Sequence, residues 1–182
     1  MNGNEHGNGG ARRLGITRSI CLVGLMAACI ECGKLVLAVF PNIEVVTLLT
    51  AIFGYAFGWL GVLASVIFVM IEPLIYGFGG WVISYALYWP AVAFVFMLLG
   101  RLGVKNRISI TAVALALTLW FGVLSSLVDV GLFSGRFDNF ISRFAVYYAR
   151  GVGFYAIQLA TNAVLFPILF RPLTTKLYKF KR

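Results

Sequence analysis

The sequence predicts an all-α integral membrane protein with six transmembrane helices and both termini cytoplasmic. Three observations predict it. Of the 182 residues, 61% are hydrophobic and only 12% charged, about half the charged share of an ordinary soluble domain. The apolar residues fall in long runs: Ile110–Val128 and Trp81–Gly100 contain no charge, and each suffices for the ~20 residues a helix needs to cross a bilayer. The basic residues, finally, are distributed as topology demands.

Six apolar segments follow one another, at Ile16–Phe40, Glu44–Gly58, Leu60–Tyr76, Trp81–Leu99, Ile108–Val130 and Arg143–Phe170. The second and third form one stretch broken only by Glu72, but Gly54, Gly58 and Gly61 punctuate it and permit a tight turn. Counting two helices there puts Arg12, Arg13, Arg18, Arg101, Lys105, Arg107, Arg171, Lys176, Lys179, Lys181 and Arg182 on the cytoplasmic side, with only Arg136 and Arg143 outside. Counting one helix would move the C-terminal basic cluster outside and invert the rule. The expected organisation is a disordered, Gly/Asn-rich tail at 1–15, a six-helix domain at 16–172 and a basic cytoplasmic tail at 173–182. The net charge of +9 is then a juxtamembrane feature facing anionic lipid, and nucleic acid is not needed as a partner. There is no signal-peptide pattern and no internal repeat.

Chemistry-bearing motifs are sparse. The only histidine is His6, in the tail, and neither H-E-x-x-H, G-x-S-x-G nor a pair of metal-binding aspartates occurs. No catalytic residue is expected and the chain does not read as an enzyme. Cys29 and Cys32 make a C-x-x-C inside the first apolar segment, with Cys21 a few turns before. These read as small helix-packing residues, with no metal site expected.

Intramembrane polar residues therefore carry the functional reading, because a charge at the bilayer centre costs ~2.5–3.5 kcal/mol on insertion scales. Glu31 and Lys34 are i, i+3 neighbours near the outer end of the first segment, where they either neutralise each other or serve a site. In the third, Ser65, Val69, Glu72 and Tyr76 share a stripe. Glu72 either pairs with Lys34 or an arginine of the sixth segment, or faces a wet cavity. The fourth opens with Trp81, Tyr85, Tyr88 and Trp89, an interfacial aromatic belt, a grip for a flat organic ligand, or both. In the sixth, Arg143, Tyr147, Arg150, Phe154, Gln158 and Thr161 fall on one stripe with Tyr155 and Asn162 beside it. Arg150 is expected inside the bundle, and Asp129 is a candidate partner for Arg143 or Arg150. With Asn42 in the first outer loop, these residues converge on one depth and predict a ligand cavity open to the outside. The inner halves are almost wholly apolar, which does not suit a channel.

The stretch from Gly24 through Ala28, Lys34 and Pro41-Asn42 to Glu44, the Gly-rich turn ending at Gly61 and the Gly77-Phe78-Gly79-Gly80 loop resemble the substrate-binding S components of energy-coupling factor importers. Six helices, cytoplasmic termini and the chain's size fit the same family along nearly its whole length. The resemblance implies a multi-pass subunit of the bacterial cell membrane that captures a vitamin or related micronutrient. It implies docking on a membrane coupling subunit driven by two ATPases, and toppling to release the cargo. The chain would hold no cofactor, with ATP hydrolysed by its partners; it carries no nucleotide-binding loop itself. The family's docking face has an Ala-x-x-x-Ala pattern, for which this chain has Gly24 and Ala28. Small residues at that spacing let a helix approach closely, whether a partner's or one of the chain's own. Cobalamin is the substrate the resemblance favours. Pantothenate would give Arg150 and Lys34 a direct role, and a cationic queuosine precursor would favour Glu72 and Asp129.

Overall fold

The computed structural model describes residues 15–40, 43–133 and 139–181, and among them every regular element is helical. In chain order these are α1 (Ile16–Leu37), α2 (Val46–Phe57), α3 (Trp59–Tyr76), α4 (Trp81–Arg101), α5 (Arg107–Val128), α6 (Phe140–Leu165) and α7 (Arg171–Lys181). A π turn at Asp129–Phe133 extends α5, and another at Phe166–Phe170 joins α6 to α7 without a break. The second contains Pro167, which has no N–H to donate and so favours the wider turn.

Five stretches are long and apolar enough to cross a membrane: Ile16–Leu37, Trp59–Tyr76, Trp81–Arg101, Arg107–Leu132 and Phe140–Tyr178. The chain is thus a helical, multi-pass membrane protein by its dimensions. The remaining apolar helix, α2, has 12 residues and is about 18 Å long, short of the ~30 Å hydrocarbon core. It compensates by burial, since only Leu49 and Tyr55 of its residues are not fully enclosed. The 39-residue rod Phe140–Tyr178 is about 58 Å long, so it must project beyond the core. The basic segment from Leu173 is accordingly helical through Lys181.

Between α2 and α3 the chain reverses at a single residue, Gly58, whose φ of +65° is open to glycine but strained for other residues. This places the two helices as the recurrent glycines predicted. Glycine also permits a very close contact between α2 and α4. A Cβ on Gly54 would stand 2.2 Å from the carbonyl oxygen of Ala93, so α2 and α4 cross backbone against backbone. Lipid is as apolar as a leucine side chain, and such close van der Waals approach is what drives helices together in a bilayer.

Around that crossing lies a continuous core in which Phe68, Phe96, Phe166, Phe170, Ile30 and Leu48 are fully enclosed. Phe166 and Phe170 stack at 5.7 Å and Phe96 lies against both. This aromatic plug occupies the half of the bundle at which α4 ends and α5 begins.

Candidate functional site: an aromatic cavity under the first connection

A cavity of about 180 Å³ opens between α1, α4 and α6. Lys34 and Leu37 of α1, Tyr85 and Trp89 of α4, and Phe154 and Gln158 of α6 form its sides. The α1–α2 connection adds Ala38, Phe40, Ile43 and Glu44, and Phe68 of α3 completes the wall. Each contribution follows from local sequence. α1 stops at Leu37, where the chain turns at Ala38 and Val39 ahead of a proline, so that Ala38 and Phe40 reach the cavity. α4 brings its aromatics to one side because Trp81, Tyr85, Tyr88 and Trp89 lie at spacings of three and four.

Those aromatics form an edge-to-face ladder. Trp81 and Tyr85 are 5.1 Å apart, Tyr85 and Trp89 5.6 Å, and Tyr88 and Trp89 4.8 Å between ring centroids. Phe121 of α5 backs the ladder, 4.8 Å from Tyr88. Edge-to-face rings hold one another rigidly. The wall is thus preformed and presents π faces at fixed positions. The indole N–H of Trp89 is buried without a hydrogen-bond partner among the described residues. That leaves one donor unspent in the wall.

At one rim Lys34 donates to the buried carboxylate of Glu72. The i, i+3 partner Glu31 was the alternative, and the pairing goes across helices instead. The Lys34 ammonium also lies 4.1 Å from the centroid of the Tyr76 ring and 5.7 Å from that of Tyr85, as cation–π geometry requires. Glu31 sits beside this pair, enclosed, and neither carboxyl oxygen has a hydrogen-bond partner among the described residues. Glu72 therefore ends in a lysine–carboxylate contact at the cavity edge, with no arginine of α6 involved.

At the floor is a second polar group that sequence reasoning quoted but did not place in the site. Glu44 accepts from the backbone N–H and hydroxyl of Thr47, at 2.8 and 2.5 Å, and so caps the start of α2. Asn162 of α6 donates to Glu44 at 3.2 Å and to the Thr118 hydroxyl at 3.1 Å. One network thus ties the first connection, α2, α5 and α6 together beneath the cavity. The spacing gave no usable signal, because the helix-start pattern puts Ser or Thr first and Glu three residues later, the reverse of Glu44 and Thr47. Thr118, Phe121 and Phe68 carry no signal either, because each is one apolar-helix residue among many.

Of the expected site residues, Lys34, Tyr85, Trp89, Phe154 and Gln158 line the cavity, and Glu72, Tyr76, Trp81, Tyr88 and Asn162 support it. The upper part of the α6 stripe lies apart. Arg150 was expected inside the bundle; it is exposed, and it makes no hydrogen bond or ion pair among the described residues. The reason is that α6 packs on α5 through Tyr155, which fits against Gly122 and bonds Ser125 at 3.1 Å. With the rotation of α6 so fixed, Arg150 and the 42%-exposed Tyr147 lie one and two turns nearer the start of α6 than Phe154, outside the cavity wall. Arg143 is half-buried near the start of α6, and Asp129 is half-buried in the π turn that extends α5. Asn42 lies outside the described residues. Gly24 and Ala28 are exposed on the outer face of α1, and a Cβ on Gly24 would meet nothing within 4 Å. Among the described residues, no three His, Cys, Asp or Glu side chains gather as a metal site requires.

The arrangement is a closed-bottomed pocket with π faces, an ammonium, a carboxylate, a primary amide and a spare indole donor. It can hold a small polar, flat solute, and the aromatic plug of Phe96, Phe166 and Phe170 blocks passage beyond it. The chain matches no family model, no curated protein and no solved structure.

Proposed function

We propose that this chain is the substrate-binding membrane subunit of an ATP-driven importer of the energy-coupling factor type, in the bacterial cell membrane. The observation that carries the reading is the blind cavity: a pocket built for binding, inside a membrane bundle, with no route onward. A solute held there can be delivered only if the whole subunit moves or is worked on by others. That is the role of a coupling subunit and two ATPases. The resemblance of Gly24–Glu44 and of the two Gly-rich turns to S components supports the same assignment. In this reading both termini are cytoplasmic, α2 with its preceding connection counts as a sixth crossing, and the cavity opens outward.

Cavity size supports a small ligand of the vitamin class, such as pantothenate or a queuosine precursor. A corrinoid such as cobalamin is several times larger than about 180 Å³ and would need the site to widen. Calorimetry of the detergent-purified chain against pantothenate, a queuosine precursor and cobalamin tests the proposal. One compound should bind one-to-one, and Trp89→Ala or Gln158→Leu should weaken it at least about tenfold, as expected for removing a buried anchor or hydrogen bond. Arg150→Ala, outside the wall, should change affinity less. A folded chain that binds none of the three would favour a non-binding assembly subunit.

A further inference from the structure

The end of the bundle opposite the cavity has a different chemistry. Arg101 ends α4, Lys105 lies in the α4–α5 connection, Arg107 begins α5, and Arg171 and Lys176 belong to α7. The described carboxylates Glu31, Glu44, Glu72 and Asp129 all belong to the other half. No acidic side chain among the described residues neutralises this cluster.

The cluster is also shaped. The α4–α5 connection is held in place by Tyr55, whose hydroxyl donates to the Val104 carbonyl at 2.9 Å. Against it stands the start of α7. Between them lies a cavity of about 240 Å³ lined by Tyr55, Lys105, Arg171, Thr174, Thr175 and Tyr178. It brings two cationic groups together with hydroxyl-bearing side chains. Thr174 spends its hydrogen on the Phe170 carbonyl at 2.8 Å, whereas Thr175 is exposed.

Next to it, on the same seam, runs an apolar groove of about 280 Å³. Ile108, Thr111, Ala112 and Leu115 climb α5 on one side, Pro167 faces them from the π turn, and Arg107 stands at the mouth. Arg107 is two residues from Lys105, and Pro167 is about one helical turn from Arg171, so the chain sets the groove and the basic cavity side by side, with no lining residue in common. The groove's length along α5 is about 12 Å, the eight helical rises from Arg107 to Leu115.

We propose that this seam binds one anionic phospholipid, its phosphate between Lys105 and Arg171 and an acyl chain along α5 from Ile108 to Leu115. A free anion would need only the basic cavity; an apolar groove beside it, on a membrane helix, fits a molecule with a charged head and a hydrocarbon tail. Basic pockets between transmembrane helices are suited to such head groups, with each nearby Lys or Arg favouring the anionic lipid. Held there, the lipid would brace α5 against the α6–α7 rod at the point where the π turn interrupts regular helix.

Native mass spectrometry of the detergent-purified full chain tests this, with phosphatidylglycerol and phosphatidylcholine of identical acyl chains and with inorganic phosphate. The expected result is retention of one phosphatidylglycerol, preferred over phosphatidylcholine by roughly 30-fold for two basic contacts. Lys105→Gln/Arg171→Gln should abolish the preference, and Lys105→Gln alone should reduce it roughly fivefold. Ala112→Phe, which fills the groove and leaves the charges, should reduce retention of both lipids. Equal retention of the two lipids by the parent chain would overturn the proposal. So would an unchanged preference in the double variant, or inorganic phosphate displacing the lipid, which would mark a free-anion site.

Discussion

The two flanks of the bundle are packed by opposite rules. On the α2–α4 flank, ten of the twelve residues of α2 are buried, and backbones meet at Gly54 with no room for a methyl group. On the α6 flank only Gln158 and Asn162 are buried out of 26 residues, and large apolar side chains such as Val152, Ile157 and Val164 are exposed. One side is a fixed scaffold that holds the aromatic ladder. The other is a rod laid against α5 and pinned by a few polar contacts. A binding site between a fixed wall and a loosely held one can change shape without the core repacking, since packed cores resist small displacements.

The largest effect should come from the α1–α3 seam, which borders the fixed wall through the Lys34–Glu72 contact. Lys34→Met would leave Glu72 buried with its charge uncompensated. Removing one partner of a buried pair typically costs about 3–5 kcal/mol. The apparent melting temperature in detergent should fall sharply, and adding Glu72→Leu in the same chain should restore most of it, because replacing both partners by apolar groups is close to neutral. Equal stability of Lys34→Met and parent would show that the Lys34–Glu72 contact is not what secures the seam.

Next in size is the glycine crossing. Gly54→Ala puts a Cβ 2.2 Å from the Ala93 carbonyl oxygen, a backbone atom that cannot rotate away. The expected loss is about 1–3 kcal/mol, the usual range for overpacking, with Tyr85 and Trp89 displaced and ligand affinity lowered with them. If Gly54→Ala melted with the parent, the scaffold flank would be as yielding as the other.

Much of this contrast could be read in advance, and the unread part has a physical cause. Each of the six apolar segments carries a helix, because hydrophobic runs and Gly58 report local structure, but five stretches are long enough to span a membrane and the last runs past Phe170 to Lys181. The aromatic ladder on α4 was legible from spacing alone. Tertiary choice was not. The sequence offered both Glu31 and Glu72 to Lys34, and only the packing of α1 on α3 shows that Glu72 takes the ammonium. A helical stripe showed that Arg150, Phe154 and Gln158 share a face, but not where that face points. The fit of Tyr155 against Gly122 sets its direction, and position along the axis then separates Phe154 and Gln158, level with the cavity, from Arg150, one turn nearer the start of α6. Glu44 was hidden because a loop carboxylate looks solvated until Asn162 is found to bond it across the bundle.

The smallest effect should be found on the α6 flank, at Gly153. An added Cβ there would meet nothing within 4 Å, and the backbone is regular helix. Gly153→Ala should therefore stabilise the isolated chain, by about 0.5–1 kcal/mol, through the lower backbone entropy of alanine before folding. Ligand affinity should not change, because Gly153 is exposed and outside the cavity wall. The sign of this shift is what separates the two flanks: Gly54 and Gly153 are both helical glycines, and the same substitution should move the melting temperature down at one and up at the other. A fall at Gly153 would mean that α6 is packed there in the isolated chain, and that the site has two fixed walls.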